Sequence, residues 1–308
     1  MSTVTVKPTV NNRIHRKRTA SEWVLDIIKV LFLTLITIIT IYPFWNIFIV
    51  SINDAQDAVK GGLYFWPRIF SLYSYQEILG RPTFQNSIFI TVSRTLIGAP
   101  LAVFCTAMCA YSLSRKELVG HKFWNLLFVF TMYFGGGQVP YYMVLKGLGL
   151  LDNFLVFIFP LIMSVYNMIL IKSYIDSMPE SLFEAVKIDG GNDLVIFFKF
   201  VLPLSKPILM TVALFAAINQ WNSWFDAYLY TSSQELKPMQ SILVEILNQY
   251  QTGSTTSQQM SNAKAGMTVT ADSIRMAATM VATIPIIMVY PFIQKYFVKG
   301  IMLGAVKG

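Results

Sequence analysis

The chain has 308 residues, 55% of them hydrophobic and 13% charged, against about 25% charged in an average soluble domain. Only two cysteines occur, so no disulfide framework is implied. The net charge of +8 does not call for nucleic acid, because the apolar residues are grouped into long runs and a basic excess then sets orientation in a membrane.

A polar start, with "NNRIHRKR" at 11–18, leads into an apolar run over about 27–52. The run is too long for the apolar region of a secretory signal and has no small-residue cleavage site, so it reads as a retained first span. Asp26 and Lys29 lie at its interfacial start. An outer loop, 53–86, contains "GGLYFWPRIF". The second span covers about 87–113. Within it Cys105 and Cys109, four residues apart, read as small residues at a helix-packing face, and Arg94 reads as a side chain snorkelling to the outer end. The third span, about 123–145, contains "GGGQVP"; Gly135 to Gly137 break a helix inside the membrane, which is tolerated where protein or a cavity covers the backbone. The fourth span covers about 154–171 and the fifth about 207–230, with Trp224, Tyr228 and Tyr230 as an interfacial aromatic belt. A second outer loop, 231–272, carries the polar "QTGSTTSQQMSN". The sixth span covers about 274–297, with Arg275 snorkelling near its outer end. No internal repeat is apparent.

Lys and Arg distribute unequally. With the N-terminus inside, segments 1–26, 114–122, 172–206 and the end from Lys295 hold fifteen, and the outer loops hold six. The positive-inside rule therefore puts both termini in the cytoplasm. The expected organisation is all-α: a polytopic membrane protein with a cytoplasmic segment 1–26, a six-helix domain 27–297 and a cytoplasmic tail 298–308.

The polar stretch "PESLFEAVKIDGGNDLVIFFKFVLPLSKP", Pro179 to Pro207, falls on the cytoplasmic side between spans four and five. Ser177 can cap a short helix over 179–188, with Glu180 completing a capping box. Gly190 and Gly191 permit a sharp reversal. Asn192 or Asp193 starts a second helix that turns Leu194, Phe197, Phe198 and Val201 to the membrane side. The first helix is expected to expose Phe183, Glu184 and Lys187, an apolar knob flanked by charge that suits a groove on a soluble partner. The whole is a helix–turn–helix elbow over 177–203.

"EAVKIDGG" followed by "VLP" at 201–203 resembles the EAA motif of ABC importer permeases, which runs Glu-Ala-Ala, two variable residues, Asp-Gly-Ala, a spacer and Leu-Pro. Glu184, Ala185, Asp189, Gly190, Leu202 and Pro203 match; Val186 and Gly191 depart from it. "NSIFITVSRTLIGAP…AYSLSR" at 86–115, "GGGQVPYYMVLKGLGLLDN" at 135–153, "WNSWFDAYLY" at 221–230 and "PFIQKYFVKGIMLGAVKG" at 291–308 are similar to the maltose-type carbohydrate-uptake permeases, nearest those assigned to oligosaccharides, aldouronates and polysaccharide fragments. The resemblance implies a bacterial cell-membrane protein working with a second homologous permease, a dimer of ATPases and an extracytoplasmic solute-binding protein. It implies that Phe183, Glu184, Ala185, Lys187, Asp189 and Gly190 couple to the ATPase and that Lys307 reaches between the ATPases.

No "GxxxxGK[ST]" phosphate loop occurs, so the chain is not expected to bind a cofactor or be an enzyme; the resemblance implies that ATP and Mg belong to the partner subunit. Asn219, Gln220, Trp221 and Asn222 offer the amides and aromatic faces that bind sugars and are candidates for a substrate pathway. Two rival readings find less in the sequence. A membrane enzyme lacks support, since only His15 and His121 occur, without "HExxH", "GxSxG" or a clustered acidic metal set. An ion-coupled carrier or channel would carry paired charges or acidic relays in mid-membrane, and the spans show few, with Asp226 near the outer end of the fifth.

Overall fold

The computed structural model describes residues 19–253 and 270–305, and within them helices are joined by turns with a single isolated bridge, Asn53 to Phe70. The chain divides into a unit ending at Asn46 and a larger one from Ile47 onward. Helix α1 (Ala20–Ser51) supplies the first unit. It starts seven residues before the expected span because Glu22 reaches back to the Thr19 amide at 2.9 Å, half of a capping box. Apolar side chains from Trp23 to Trp45 are exposed along it, and Thr37 and Thr40 return their hydroxyl protons to Leu33 and Ile36 carbonyls. That is how a hydroxyl is satisfied in a medium without water.

In the larger unit, the 53–86 loop is folded rather than a plain connector. Helix α2 (Ala55–Ala58) is capped by Asp54, and α3 (Tyr73–Leu79) follows a bend held by Asn53, Asp57 and Arg68. The Asn53 carboxamide accepts from the amides of Arg68 and Ile69 (2.8 and 3.0 Å), and Arg68 Nε donates to Asp57 at 2.8 Å.

Helix α4 (Pro82–Ser114) is the axis of the unit, packing most extensively against two later helices. Pro82 suits its first turn, and its buried face is rich in small and hydroxyl residues, among them Ser87, Thr91, Gly98, Ala102, Thr106 and Ala110. Small residues let helices approach closely where water provides no hydrophobic drive. A Cβ at Gly98 would lie 2.5 Å from the Gln220 amide nitrogen, so that contact requires glycine.

The expected third span is two helices, α5 (His121–Tyr133) and α6 (Gln138–Gly147), separated at the glycines. The expected fourth is a pair of 3-10 turns (Phe154–Phe157 and Phe159–Leu161) and α7 (Val165–Asp176), bent by 43°. Next come α8 (Glu180–Ile188), α9 (Asp193–Val195), a π-helical stretch (Ile196–Val201) and α10 (Leu202–Leu204). The expected fifth span is α11 (Lys206–Asn222), then a break and the short α12 (Phe225–Tyr230). The 231–272 segment, expected as a loop, contains an amphipathic helix, α13 (Met239–Gly253). Its Met239, Leu243 and Ile246 share a core with Ile78, Phe84 and residues Ile274 to Ala282 of the last helix, α14 (Ala271–Ala305). Among the described residues three helices are long and apolar enough to cross a membrane, or five if each bent pair is one span. The residues are those of a mostly helical membrane protein.

Candidate functional site

Two constellations stand out along α4, one at its C-terminal end and one beside its middle. The first is the elbow. Ser177 does not cap α8: it is the C-cap residue of α7, still in helical geometry, and its hydroxyl donates to the Tyr174 carbonyl at 2.6 Å. Helix α8 therefore begins after Pro179 without a side-chain cap, and the expected capping box with Glu180 is absent. The helix is two-sided. Phe183 and Val186, three apart, face inward, while Glu184, Ala185, Lys187 and Ile188 are exposed.

The expectation of Phe183 as an exposed knob is overturned: it is 4% exposed. Its ring lies 4.0 Å beneath the Arg115 guanidinium and packs in one cluster with Ile175, Val186 and Phe197. The turn after α4 supplies Arg115, which is why the burial does not follow from the elbow's own sequence. Ile188, 85% exposed, is instead the apolar side chain presented near Glu184.

Gly190 has φ +79°, the left-handed region open to glycine without strain. Gly191 has ordinary φ, but a Cβ there would meet Val186 Cγ1 at 2.6 Å and its carbonyl oxygen at 2.9 Å. The departure from Ala at 191 thus has a steric reason. Asp189 ends α8, its amide donating to the Ala185 carbonyl at 3.1 Å. Asn192 caps α9 by accepting from the Val195 amide at 2.9 Å. Two polar contacts tie the elbow to the end of α4: Tyr111 OH donates to Asp193 at 3.0 Å, and Lys187 Nζ donates to both Glu117 oxygens at 2.8 Å. The Glu117 hydrogen bonds push the Lys187 ammonium pKa above its ordinary value. Beyond the reversal Phe197 and Val201 are buried, whereas Leu194 and Phe198 stay exposed. The chain then turns 80° into α11 at Ser205, whose buried hydroxyl has no hydrogen-bond partner among the described residues.

The second constellation lies between α4, α7 and α11. A cavity of about 150 Å³ is bordered by Thr106, Ser164, Asn167, Asn219 and Gln220 together with apolar side chains. Of the four consecutive candidates, Asn219 and Gln220 reach it. Trp221 turns to α14, its Nε1 donating to the Ala282 carbonyl at 3.0 Å, and Asn222 is exposed and accepts from Gln240 at 3.4 Å. Four successive helical residues sweep around the whole axis, so they cannot share one wall.

Gln220 is fully engaged. Its Nε2 donates to the Phe157 carbonyl and its Oε1 accepts from Arg94 Nε, both at 2.9 Å. Arg94 is 0% exposed, ion-paired with Asp226 and 4.4 Å over the Phe157 ring, with Nη1 reaching the Ser223 carbonyl at 3.4 Å. The snorkelling expectation for Arg94 is therefore corrected. The break between α11 and α12 frees the Ser223 carbonyl and swings Asp226 back toward α4, giving the guanidinium a complete set of acceptors inside the protein. The pair is saturated by fixed partners and does not form an acidic relay. Lys307, the third candidate region, lies outside the described residues.

Residues 16–303 match the family model described as binding-protein-dependent transport system inner membrane component. The polygalacturonan/rhamnogalacturonan transport system permease protein YtcP of Bacillus subtilis (strain 168) is 39% identical over 277 residues, covering 90% of this chain and 96% of that protein. Protein LplC of the same organism is 35% identical over 285 residues, 92% of this chain and 95% of that one. Among solved structures, a chain from the crystal structure of a bacterial ABC transporter involved in the import of the acidic polysaccharide alginate superposes with a TM-score of 0.83 at 28% identity, covering 92% of this chain and 99% of that chain. Sequence and fold agree over almost the whole length, and the chain belongs to the binding-protein-dependent transport system inner membrane component family, the permease subunits of ABC importers.

Proposed function

We propose that this permease forms half of the translocation pathway of an importer for oligosaccharides released from plant or microbial polysaccharides, and that α8 is its contact with the ATPase. The observation that carries the second part is the division of α8 into two faces. Phe183 and Val186 are fastened into the bundle, while Glu184, Ala185 and Ile188 on the outer face are exposed among the described residues. A short helix fixed on one side and bare on the other, with a free carboxylate beside an exposed Ile, suits a groove on another subunit.

In this reading the interrupted α5–α6 pair is the third of six spans, the elbow and both termini are cytoplasmic, and Lys307 lies between the ATPases. ATP and Mg are held by the ATPase dimer, whose closure moves the elbow as a rigid body. Asp189 and Gly190 shape the reversal rather than make the contact. A second homologous permease covers the apolar side chains of α5 and α6, which carry a single buried residue, Leu145. An extracytoplasmic solute-binding protein delivers the sugar. Support for the substrate class comes from the relatives named for polygalacturonan and alginate transport.

The test is reconstitution. The chain alone in liposomes transports nothing, and with partner permease, ATPase and binding protein it gives ATP-dependent uptake. Glu184→Lys leaves the chain inserted and folded but reduces ATPase recovered with it at least fivefold in a pull-down. Uptake by the isolated chain would overturn the assignment, and undiminished ATPase recovery would overturn the role of α8.

A further inference from the structure

The elbow has two arms, α8 before the Gly190 reversal and the α9 to π-helical stretch after it, and one short segment from elsewhere in the chain holds both. Helix α4 ends at Ser114, and Arg115 leaves it in extended geometry (φ −79°, ψ 118°). That exit carries the Arg115 guanidinium over two rings, 5.0 Å from the Tyr111 centroid and 4.0 Å from that of Phe183. Two residues on, Glu117 accepts from Lys187 Nζ through both carboxylate oxygens, and Leu118 packs against the cluster that contains Phe183. The second arm is held from the same place: Tyr111 OH donates to Asp193, and its ring lies 5.5 Å from that of Phe197.

The positions on α8 show what these holds do. Phe183 and Lys187 are four residues apart, so they share one side of the helix about one turn, roughly 6 Å, apart. Glu184, Ala185 and Ile188 lie on average about 125° further around the axis. A nine-residue helix without a side-chain cap is too short to be ordered by its own hydrogen bonds, and its direction comes from what grips it. Two fixed points on one side prevent it from rolling about its axis, and so fix where the outer face is aimed. The grip is geometric more than adhesive: the Lys187–Glu117 side chains are 40% and 72% exposed, and an exposed pair adds little to folding stability.

We propose that Arg115 and Glu117 are positioning residues for the ATPase contact: through Phe183 and Lys187 they set the rotation of α8 and pass its movement to α4. This rests on the reading of α8 as the ATPase contact and deepens it, since Lys187 then serves a clamp inside the chain and Glu184, Ala185 and Ile188 make the contact itself. Loosening the clamp leaves the ATPase bound but lets α8 roll under load, so that hydrolysis continues and less of it becomes transport.

The assembled transporter in proteoliposomes, with partner permease, ATPase and binding protein, reads this as sugar taken up per ATP hydrolysed, beside the amount of ATPase recovered with the permease. Labelled galacturonate and galactose trisaccharides are offered, and the one that the wild type carries is followed. Glu117→Lys and Lys187→Glu each lower uptake per ATP by about three- to fivefold, the scale of one exposed ion pair, while ATPase recovery stays within about twofold of wild type. Combining the two reverses the pair and returns uptake per ATP to within about twofold. Glu117→Gln gives a smaller loss in the same direction, which keeps the test decisive should a charge reversal fail to assemble. Arg115→Leu also lowers the ratio, and Arg115→Lys, which keeps a cation over the Phe183 ring, loses less. A combined variant no better than the singles would overturn the clamp. So would Lys187→Glu releasing the ATPase as far as Glu184→Lys does, because Lys187 would then face the ATPase. A wild-type assembly that carries neither sugar, or normal ATPase recovery with Glu184→Lys, would instead sink the permease or α8 reading beneath it, so the failures are told apart.

Discussion

Removing Asp226 is expected to be the most damaging single change near the second constellation, and the reason is an asymmetry in burial. Arg94 has a side-chain exposure of 0% and Asp226 of 17%. In Asp226→Ala the guanidinium keeps Gln220 and the Ser223 carbonyl but loses its only counter-charge among the described residues, and being wholly enclosed it cannot turn to solvent. Breaking a buried pair in this way costs about 3–5 kcal/mol; the residual neutral acceptors put the expectation at the lower end, about 3 kcal/mol, or roughly a 150-fold shift in the folding equilibrium. Arg94→Leu leaves the partly exposed carboxylate, which can be hydrated, and costs less, about 1–2 kcal/mol. The double variant Arg94→Leu, Asp226→Leu removes both charges and falls within about 1 kcal/mol of wild type, because replacing a buried pair by apolar groups is commonly close to neutral. The assay is equilibrium unfolding of the purified chain in mixed micelles, followed by far-UV circular dichroism, as a double-mutant cycle. A cost below about 1 kcal/mol for Asp226→Ala, or a double variant as unstable as the two singles summed, would refute the reasoning.

The elbow and the folded 53–86 loop give further expectations. At Gly190 the left-handed backbone predicts an order of tolerance, Asn better than Ala and Ala better than Val, with Gly190→Ala costing about 1–2 kcal/mol; limited proteolysis across 188–193 reads the loosening, and an equal response to all three would contradict it. Gly191→Ala has no conformational penalty but meets Val186 Cγ1 and the Val186 carbonyl, and is expected to cost about 1–3 kcal/mol as an overpacked site does, with Val186→Ala removing the Cγ1 contact and partly relieving it in the same assay. In the 53–86 loop the Asn53 hydrogen bond, followed by Arg68 and Lys60, holds the Asp57 carboxyl below its ordinary value of 3.8. Because the folded-state pKa is depressed, the stabilisation is fully present above the ordinary value and is lost as pH falls through the folded-state one. Proteolytic protection of residues 53–71 is therefore steady from pH 7 to about 5 and declines only in stronger acid, and Asp57→Asn flattens that decline.

How much of this was legible depended on whether the cause was local. The reversal at Gly190, the break at Gly135 to Gly137 and the long apolar helices α1, α4 and α14 follow from residues adjacent in the chain. Phe183 could not be placed from the elbow alone, because the guanidinium that covers it comes from Arg115, past the end of another helix. Arg94 was misread for the same reason: its partner Asp226 is 132 residues away, and nothing in the second apolar run announces it. An opposite charge just beyond a neighbouring span was the available signal. Helix α13 was hidden by the polar composition of the segment around it, yet Met239, Leu243 and Ile246 stand at the spacing of one helical face and would have revealed it. The separation of Asn219 and Gln220 from Trp221 and Asn222 was implicit in helical geometry once the four were assigned to a single helix.

Tyr111, which holds Asp193 of the elbow, is five residues from Thr106 on the cavity wall, about 7.5 Å along one helix. Pro100 lies on the far side of both, so any flexure it introduces in α4 does not fall between them. Grip and wall are therefore parts of the same short rod: a displacement imposed where the elbow is held must reshape the chamber unless the helix bends within a turn and a half, and the chamber cannot be reset without the grip registering it.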